Sequence, residues 1–203
     1  MVLKHTYSVN KNPTSCVGKE LTKEFFSRDT RTVAKDLLGC YLSKEDCVGK
    51  IVETEAYKDD EASHARKLTP RSRVMYESYG KVYVYRVYGM YYCLNFTCEK
   101  NKPGAVLIRA VEPIYGVDEM KKRRSRRELR VKDLANGPGK LCEAFGINKY
   151  DNNKNIGYKI KIFSGKKPKK IVKTSRIGIS KSKELLWRYY IKDNEFVSKP
   201  FWF

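Results

Sequence analysis

Apolar positions in this chain fall into short runs whose spacing changes from one segment to the next. From Leu21 the spacing is helical. Phe25 and Phe26 lead to Asp29-Thr30, a suitable cap for a helix carrying Val33, Leu37 and Leu38 on one face, and Gly39 suits its end. Cys40-Tyr-Leu-Ser43 and Gly49 to Tyr57 read as strands on either side of a polar Lys44-Glu-Asp46. Lys81 to Thr97 alternates most strongly and is broken at Gly89, which predicts a hairpin with Tyr88 or Met90 at its tip. Ala105 to Val111 predicts a buried strand, and Tyr115 to Lys132 a helix dense in basic residues. After the breaker Asn136-Gly-Pro-Gly139, a further helix is expected over Lys140 to Phe145, closed by Gly146. Tyr158 to Phe163 reads as a further short strand, and Ser175 to Ile179 and Trp187 to Ile191 as two more short strands or a strand followed by a packing segment.

Residues 1–20 are polar and irregular and predict a loose arm, with His5 in solvent. The periodic pattern from residue 21 to 203 has no repeat and no break, so a single domain is expected there. A chain of 203 residues can bury a core without disulfides. Six scattered cysteines form no CxxC pair and only two histidines are present, which leaves a zinc site unsupported and fits reduced thiols in a cytosolic or nucleoid protein. No apolar run approaches the roughly 18–20 residues that span a bilayer, so no membrane partner is expected. The net charge of +20, from 43 basic and 23 acidic residues, favours a polyanion, because each phosphate neutralised releases a counterion. A general drift towards lysine explains part of that excess. It explains less well why arginines crowd with eight tyrosines between Ile51 and Asn95.

That segment holds the candidate chemistry. In Ile51-Val-Glu-Thr-Glu-Ala-Tyr57 the period-two rule puts Ile51, Glu53 and Glu55 on one face and Val52, Thr54 and Ala56 on the other. Glu53 is read as the wet side of an edge strand, and Glu55 as the better catalytic candidate. His64 lies in a polar loop after Asp59-Asp-Glu61, acids able to orient its ring, while Arg66, Arg71 and Arg73 are natural phosphate contacts. An aromatic at the hairpin tip suits insertion between stacked bases as well as packing on a neighbouring loop. Arg109, inside an apolar run, needs a partner, for which Glu55 or Glu112 could serve. The amides opening a helix after Gly137-Pro-Gly139, with Lys140, would suit a DNA phosphate.

Val52-Glu-Thr-Glu-Ala-Tyr57, Ala62-Ser-His64, Thr69-Pro-Arg71, Tyr83-Val-Tyr85, Tyr88-Gly-Met90, Cys93-Leu-Asn95, Arg109-Ala-Val-Glu-Pro113 and Asn136-Gly-Pro-Gly-Lys140 occur together in this order. In this the chain resembles the alkyladenine (3-methyladenine) DNA glycosylases, from about Leu21 to Tyr190. The resemblance implies a single-domain α+β fold whose curved antiparallel sheet forms an open, barrel-like roll with packed helices. It implies a monomer, without metal or organic cofactor, that flips alkylated purines such as 3-methyladenine and 7-methylguanine out of double-stranded DNA and hydrolyses the N-glycosidic bond. Deaminated and etheno purines are left open as substrates. On the same ground Glu55 matches the base that activates water and Arg109 a residue helping to hold that water. Tyr57, His64, Tyr85 and Cys93 match the purine pocket, Asn95 the residue disfavouring the guanine amino group, and Ile177 a water-holding backbone carbonyl. Tyr88, with Met90, matches the wedge that fills the gap. Arg71, Arg73, Gly137, Gly139 and Lys140 would follow the DNA backbone. The chain departs from the pattern at Tyr76-Glu-Ser-Tyr-Gly80, where relatives often carry a proline-glycine turn, and after Gly178, where it lacks a histidine seen in some. No lysine is placed as a Schiff-base nucleophile, so the enzyme is expected to be monofunctional. A non-catalytic nucleic-acid-binding module and a basic ribosome-associated protein stand as alternatives on charge and aromatics alone.

Overall fold

A computed structural model describes residues 18–125 and 128–198; residues 1–17, with His5 and most of the expected arm, lie outside the described residues. Gly18 to Glu20 already run beside Phe163 and Ser164. In chain order the elements are α1 (Thr30–Asp36), β1 (Tyr41–Lys44), β2 (Cys47–Tyr57), α2 (Arg73–Glu77), β3 (Val82–Val87), β4 (Tyr91–Cys98), β5 (Gly104–Tyr115), α3 (Val117–Arg123), α4 (Pro138–Ala144), β6 (Ile160–Phe163), β7 (Ile171–Thr174) and β8 (Arg188–Ile191). All pairings are antiparallel, in the order β3-β4-β5-β2-β1-β6, with β8 also pairing β2 and β7. The sheet curls into a half-barrel against which the helices pack, a single α+β domain as expected.

Local chemistry accounts for most of these boundaries. The Asp29 carboxylate accepts from the amides of Arg31 and Thr32, capping α1, and buries Val33 and Ala34 against β2 and β5. Gly39 then leaves the helix in the left-handed region, at φ 87°, with Leu37 and Leu38 in the core. The β3–β4 hairpin closes through Tyr88 and Gly89, both left-handed at φ 50° and 69°, the backbone of a tight primed turn. Helix α4 packs on β4 and β5, with α3 against α4.

Three expectations are corrected. The helix predicted over Tyr115 to Lys132 is only the seven residues of α3. Its basic run is not simply a solvated face, because Arg123 pairs with Glu119 and Glu45, and Arg124 with Glu143. Ser125 is left-handed at φ 49°, which ends the helical turn; Arg126 and Arg127 lie outside the described residues. The segment Ser175 to Ile179 is not a strand. The strand lies earlier, at β7, because Arg176 turns inward to an ion pair instead of following a pleat. Lys44, read as part of a polar turn, is buried at 4% exposure, donating to the Gly146 carbonyl at 2.6 Å and Asp151 at 2.9 Å. The other Asp151 contact, with the Asn148 amide, caps the turn Lys149–Asp151.

Removing one member of a buried pair leaves the other charge without compensation. Lys44→Met should therefore lower the unfolding free energy by roughly 3–5 kcal/mol, read from urea denaturation; a loss below about 1 kcal/mol would show that Asp151 reaches water instead.

Candidate active site

The site forms where β2 exchanges one neighbour for another. Its first residues pair with β1, and Glu53 to Glu55 pair with β8 while β5 follows the opposite edge. Ile51 faces Val111 and Glu53 faces Ala110, so Val52 is an extra residue on β2. Thr54 then faces Ile108, which makes Arg109 an extra residue on β5. Each bulge shifts the alternation by one and re-aims side chains. Ile51, expected on the face of Glu53 and Glu55, instead joins Ala56 in the main core, and Thr54 donates to the Ala34 carbonyl of α1. The carboxylates turn the other way, towards Arg109.

Glu53 is not on a wet edge. It is 0% exposed, because β8 covers that side of β2. Its Oε1 accepts from Arg109 Nε at 2.9 Å, Arg188 Nε at 2.7 Å and Ser198 Oγ at 2.9 Å, and its Oε2 from the Ser198 amide at 2.7 Å. Arg109 then reaches Glu55 through NH1, at 3.3 Å from Oε2. Of the two partners weighed for Arg109, Glu55 is a partner, beside an unforeseen Glu53, while Glu112 pairs with Lys50. Burial opposes the Arg109 charge, but Glu55 and then Glu53 outweigh it and raise the guanidinium pKa.

Glu55 is also 0% exposed and sits in a cage of three donors. The Ile177 amide donates to Oε1 at 2.7 Å; the Tyr57 hydroxyl and Arg109 donate to Oε2 at 2.9 and 3.3 Å. One hydrogen bond on Oε1 leaves that oxygen a lone-pair direction for a further donor. The Tyr57 ring joins this cage to a narrow, open cleft lined by Tyr57, Ala62, His64, Met75, Tyr83, Tyr85, Asn95 and Ala105. Burial pushes the phenol pKa values of Tyr57, Tyr83 and Tyr85 well up, so all three stay protonated; the Glu55 charge adds to the effect at Tyr57.

The acids before His64 do not hold its ring. Nδ1 meets the Tyr83 hydroxyl at 2.8 Å, and the ring packs edge-on to Tyr85, 4.8 Å between centres. Asp60 is engaged with Arg176, and Glu61 with Arg66 and Lys181. Burial, and then the Arg71 charge, lower the His64 pKa. Asn95, 2% exposed, uses its amide nitrogen on the Tyr83 and Cys93 carbonyls at 3.1 and 3.3 Å, which fixes the side chain in place. Cys93 itself does not line the cleft. It lies behind Tyr85, and burial raises its thiol to about 11, in the range of an inert cysteine.

On the outer surface Tyr88 and Met90 are 84% and 63% exposed at the hairpin tip. A side chain added at Gly139 would meet the Tyr91 ring at 3.1 Å, so the start of α4 abuts the same hairpin. Lys140 is exposed and held by Asn136, and a side chain at Gly137 would meet Lys140 Cδ at 3.8 Å, an ordinary contact. Arg71 and Arg73 are exposed near the mouth, with Arg73 paired along α2 to Glu77 at 3.6 Å. Gly80, left-handed at φ 69°, lies against Lys23, and beyond Gly178 the chain runs through bends to β8.

Sequence reasoning missed Glu53, Arg188, Ser198 and the Arg176–Asp60 pair as parts of the site. The available signal was stoichiometric: Arg109, Arg176 and Arg188 all lie in or beside apolar strand sequence, and each needs an acid.

A strongly basic α+β domain with one caged carboxylate beneath an aromatic cleft has the build of a DNA-repair hydrolase. The family profile described as Methylpurine-DNA glycosylase (MPG) matches residues 24–195. A protein of Rhizobium johnstonii is 46% identical over 185 residues, covering 90% of this chain and 91% of its own. One of Clostridium novyi is 45% identical over 199 residues, covering 89% and 99%. Both are named "Putative 3-methyladenine DNA glycosylase". The chain belongs to the methylpurine-DNA glycosylase family and is a DNA glycosylase, a hydrolase that acts in repair of alkylated bases. Membership sets aside the non-catalytic and ribosomal alternatives.

Because the folded His64 ring resists protonation, the unfolded chain takes up that proton first as pH falls below about 6.5. Stability is thus complete above that value and is lost below it. Urea unfolding at about pH 7.5 and about pH 5.5 should show a larger loss for the native chain than for His64→Gln; equal losses would mean a solvated ring.

Proposed function

We propose that this enzyme flips alkylated purines, 3-methyladenine and 7-methylguanine among them, from double-stranded DNA into the tyrosine-lined cleft and hydrolyses the N-glycosidic bond with water activated by Glu55. The observation that carries this reading is the Glu55 cage. A fully buried carboxylate held by an amide, a phenol and a guanidinium is oriented but keeps acceptor capacity for water. N3- or N7-alkylation makes the purine cationic and a good leaving group, so one base for water is the main catalytic demand. General-base help is worth roughly 10²–10⁴ in rate.

Arg109 has two roles in this reading. It offsets the Glu55 charge and, anchored on Glu53, cannot swing away. Ile177 adjoins the water position through its peptide. Tyr57, Tyr85 and His64 form the purine walls, and the electron-rich tyrosine faces favour a cationic base by about 0.5–2 kcal/mol per good contact. Asn95, its nitrogen held by two carbonyls, cannot retreat from the 2-amino group that guanine has and adenine lacks, and so works against unmodified guanine. Flipping costs only a few kcal/mol, less at weakened pairs, which favours damaged sites a second time.

Tyr88 supports the DNA side of the reading. A non-glycine residue at positive φ carries strain of about 1–3 kcal/mol, and this one holds a large apolar ring out in water. The primed turn accounts for the backbone, but packing does not account for the exposed ring; insertion into the stack vacated by a flipped nucleotide does, with Met90 beside it. The exposed Arg71, Arg73 and Lys140, with the backbone at Gly137 and Gly139, are assigned to the flanking phosphates. The protein acts as a monomer in this reading.

The direct test is release of free purine from methylated duplex DNA. Glu55→Gln should reduce single-turnover release by at least about 10²-fold with duplex binding retained; substantial residual excision removes Glu55 from the role of base. Tyr88→Ala should weaken flipping, followed by the fluorescence of a base analogue at the lesion, by more than it weakens binding to undamaged duplex. Equal losses would mark Tyr88 as a packing residue.

A further inference from the structure

Arg176 enters the mechanism above only as the neighbour of Ile177, yet its surroundings tie it to three parts of the site. Its side chain is 0% exposed and forks onto Asp60, NH1 to Oδ2 at 3.0 Å and NH2 to Oδ1 at 2.6 Å, while NH1 also donates to the Ala56 carbonyl at 3.1 Å. The guanidinium carbon lies 4.7 Å from the centre of the Tyr57 ring and 5.2 Å from that of Trp187. Asp60 accepts from the Ala62 amide at 3.0 Å and the Lys58 amide at 3.4 Å, which gathers the start of the loop that brings Ala62 and His64 to the cleft. One residue beyond Arg176, the Ile177 amide is on Glu55 at 2.7 Å.

Stability alone gives little reason for this arrangement. A buried ion pair is often no more stabilising than apolar side chains of the same volume, and Arg176 Nε is buried with no hydrogen-bond partner among the described residues. What the pair does secure is geometry. Asp60 balances the arginine charge, so the guanidinium can lie against Tyr57 without an unpaired cation beside a cleft assigned to cationic bases. The fork has one relative orientation, which a lysine cannot reproduce.

The geometry points to Arg176 and Asp60 as positioning residues for base release: their ion pair sets the Tyr57 wall, the loop bearing His64 and the Ile177 amide on Glu55 in one arrangement. A purine stacked on Tyr57 and a water on Glu55 are thereby aligned by the same pair. This rests on the assignment of Glu55 as the base.

The test compares the full chain with Arg176→Lys, Asp60→Asn and the double variant Arg176→Met/Asp60→Asn, which removes the pair without leaving a lone buried charge. Single-turnover release from alkylated duplex and affinity for undamaged duplex are measured on protein shown to be folded by its circular dichroism. Each variant should release purine about 10- to 100-fold more slowly, the scale of a misplacement near 1 Å, with undamaged-duplex affinity within about twofold. Arg176→Lys should fail to rescue although it keeps the charge, and the double variant should be no slower than the slower single variant, as residues acting as one unit require. Should the single variants not fold, the double variant decides. Release within about threefold of the native rate in the folded double variant overturns the proposal, as does a loss of release matched by an equal loss of affinity for undamaged duplex. Failure of the underlying reading looks different: the native chain would release nothing, or Glu55→Gln would still release.

Discussion

Two carboxylates and two guanidinium groups held out of water in one cluster, Glu53, Glu55, Arg109 and Arg188, are the constraint on which the rest of this structure depends. Each charge would be costly to bury alone, and the balanced set is tolerated only because its members meet at hydrogen-bonding distance. Glu53 has the central part. By holding Arg109 through Nε it leaves NH1 free to reach Glu55, so one acid anchors the cation that steadies the other. The Ser198 amide and hydroxyl complete its shell, which draws the end of the described chain into the site.

That cluster lies where the sheet changes its pairing. β2 and β5 keep one register on both sides of the irregularity, a register in which Glu53 would stand opposite Arg109; the offsets at Val52 and Arg109 are local and cancel each other. The same irregularity carries β2 from its pairing with β1 to its pairing with β8.

The interior and the rim are built on opposite terms. Inside, every catalytic candidate is fixed by several partners, and the Arg176–Asp60 pair extends that rigidity to the cleft wall. At the rim, Tyr88 and Met90 stand in solvent on a turn whose residues Tyr88 and Gly89 are left-handed. The charge excess divides in the same way. Arg109, Arg123, Arg124, Arg176 and Arg188 all pair with acids inside the domain or along its helices, so the count of basic residues overstates the cationic surface open to DNA, whereas the net charge of +20 already subtracts such pairs.

The chain alone determined its elements wherever one rule operated undisturbed: the α1 cap at Asp29, the glycine at its end, the β3–β4 alternation with Tyr88 at the tip, and the ordered motifs that mark the family. Those signals are local, set by backbone sterics and by side chains a few residues apart. Only the tertiary structure decided that Glu53 is a buried anchor, that Tyr83 and not an acid holds His64, and that Arg176 belongs to the site. The partners in each case lie far apart in sequence, 56 residues between Glu53 and Arg109 and 116 between Asp60 and Arg176. A period of two cannot foresee a bulge, because the extra residue shows only in the pairing with a neighbouring strand and not in the pattern of the strand that contains it.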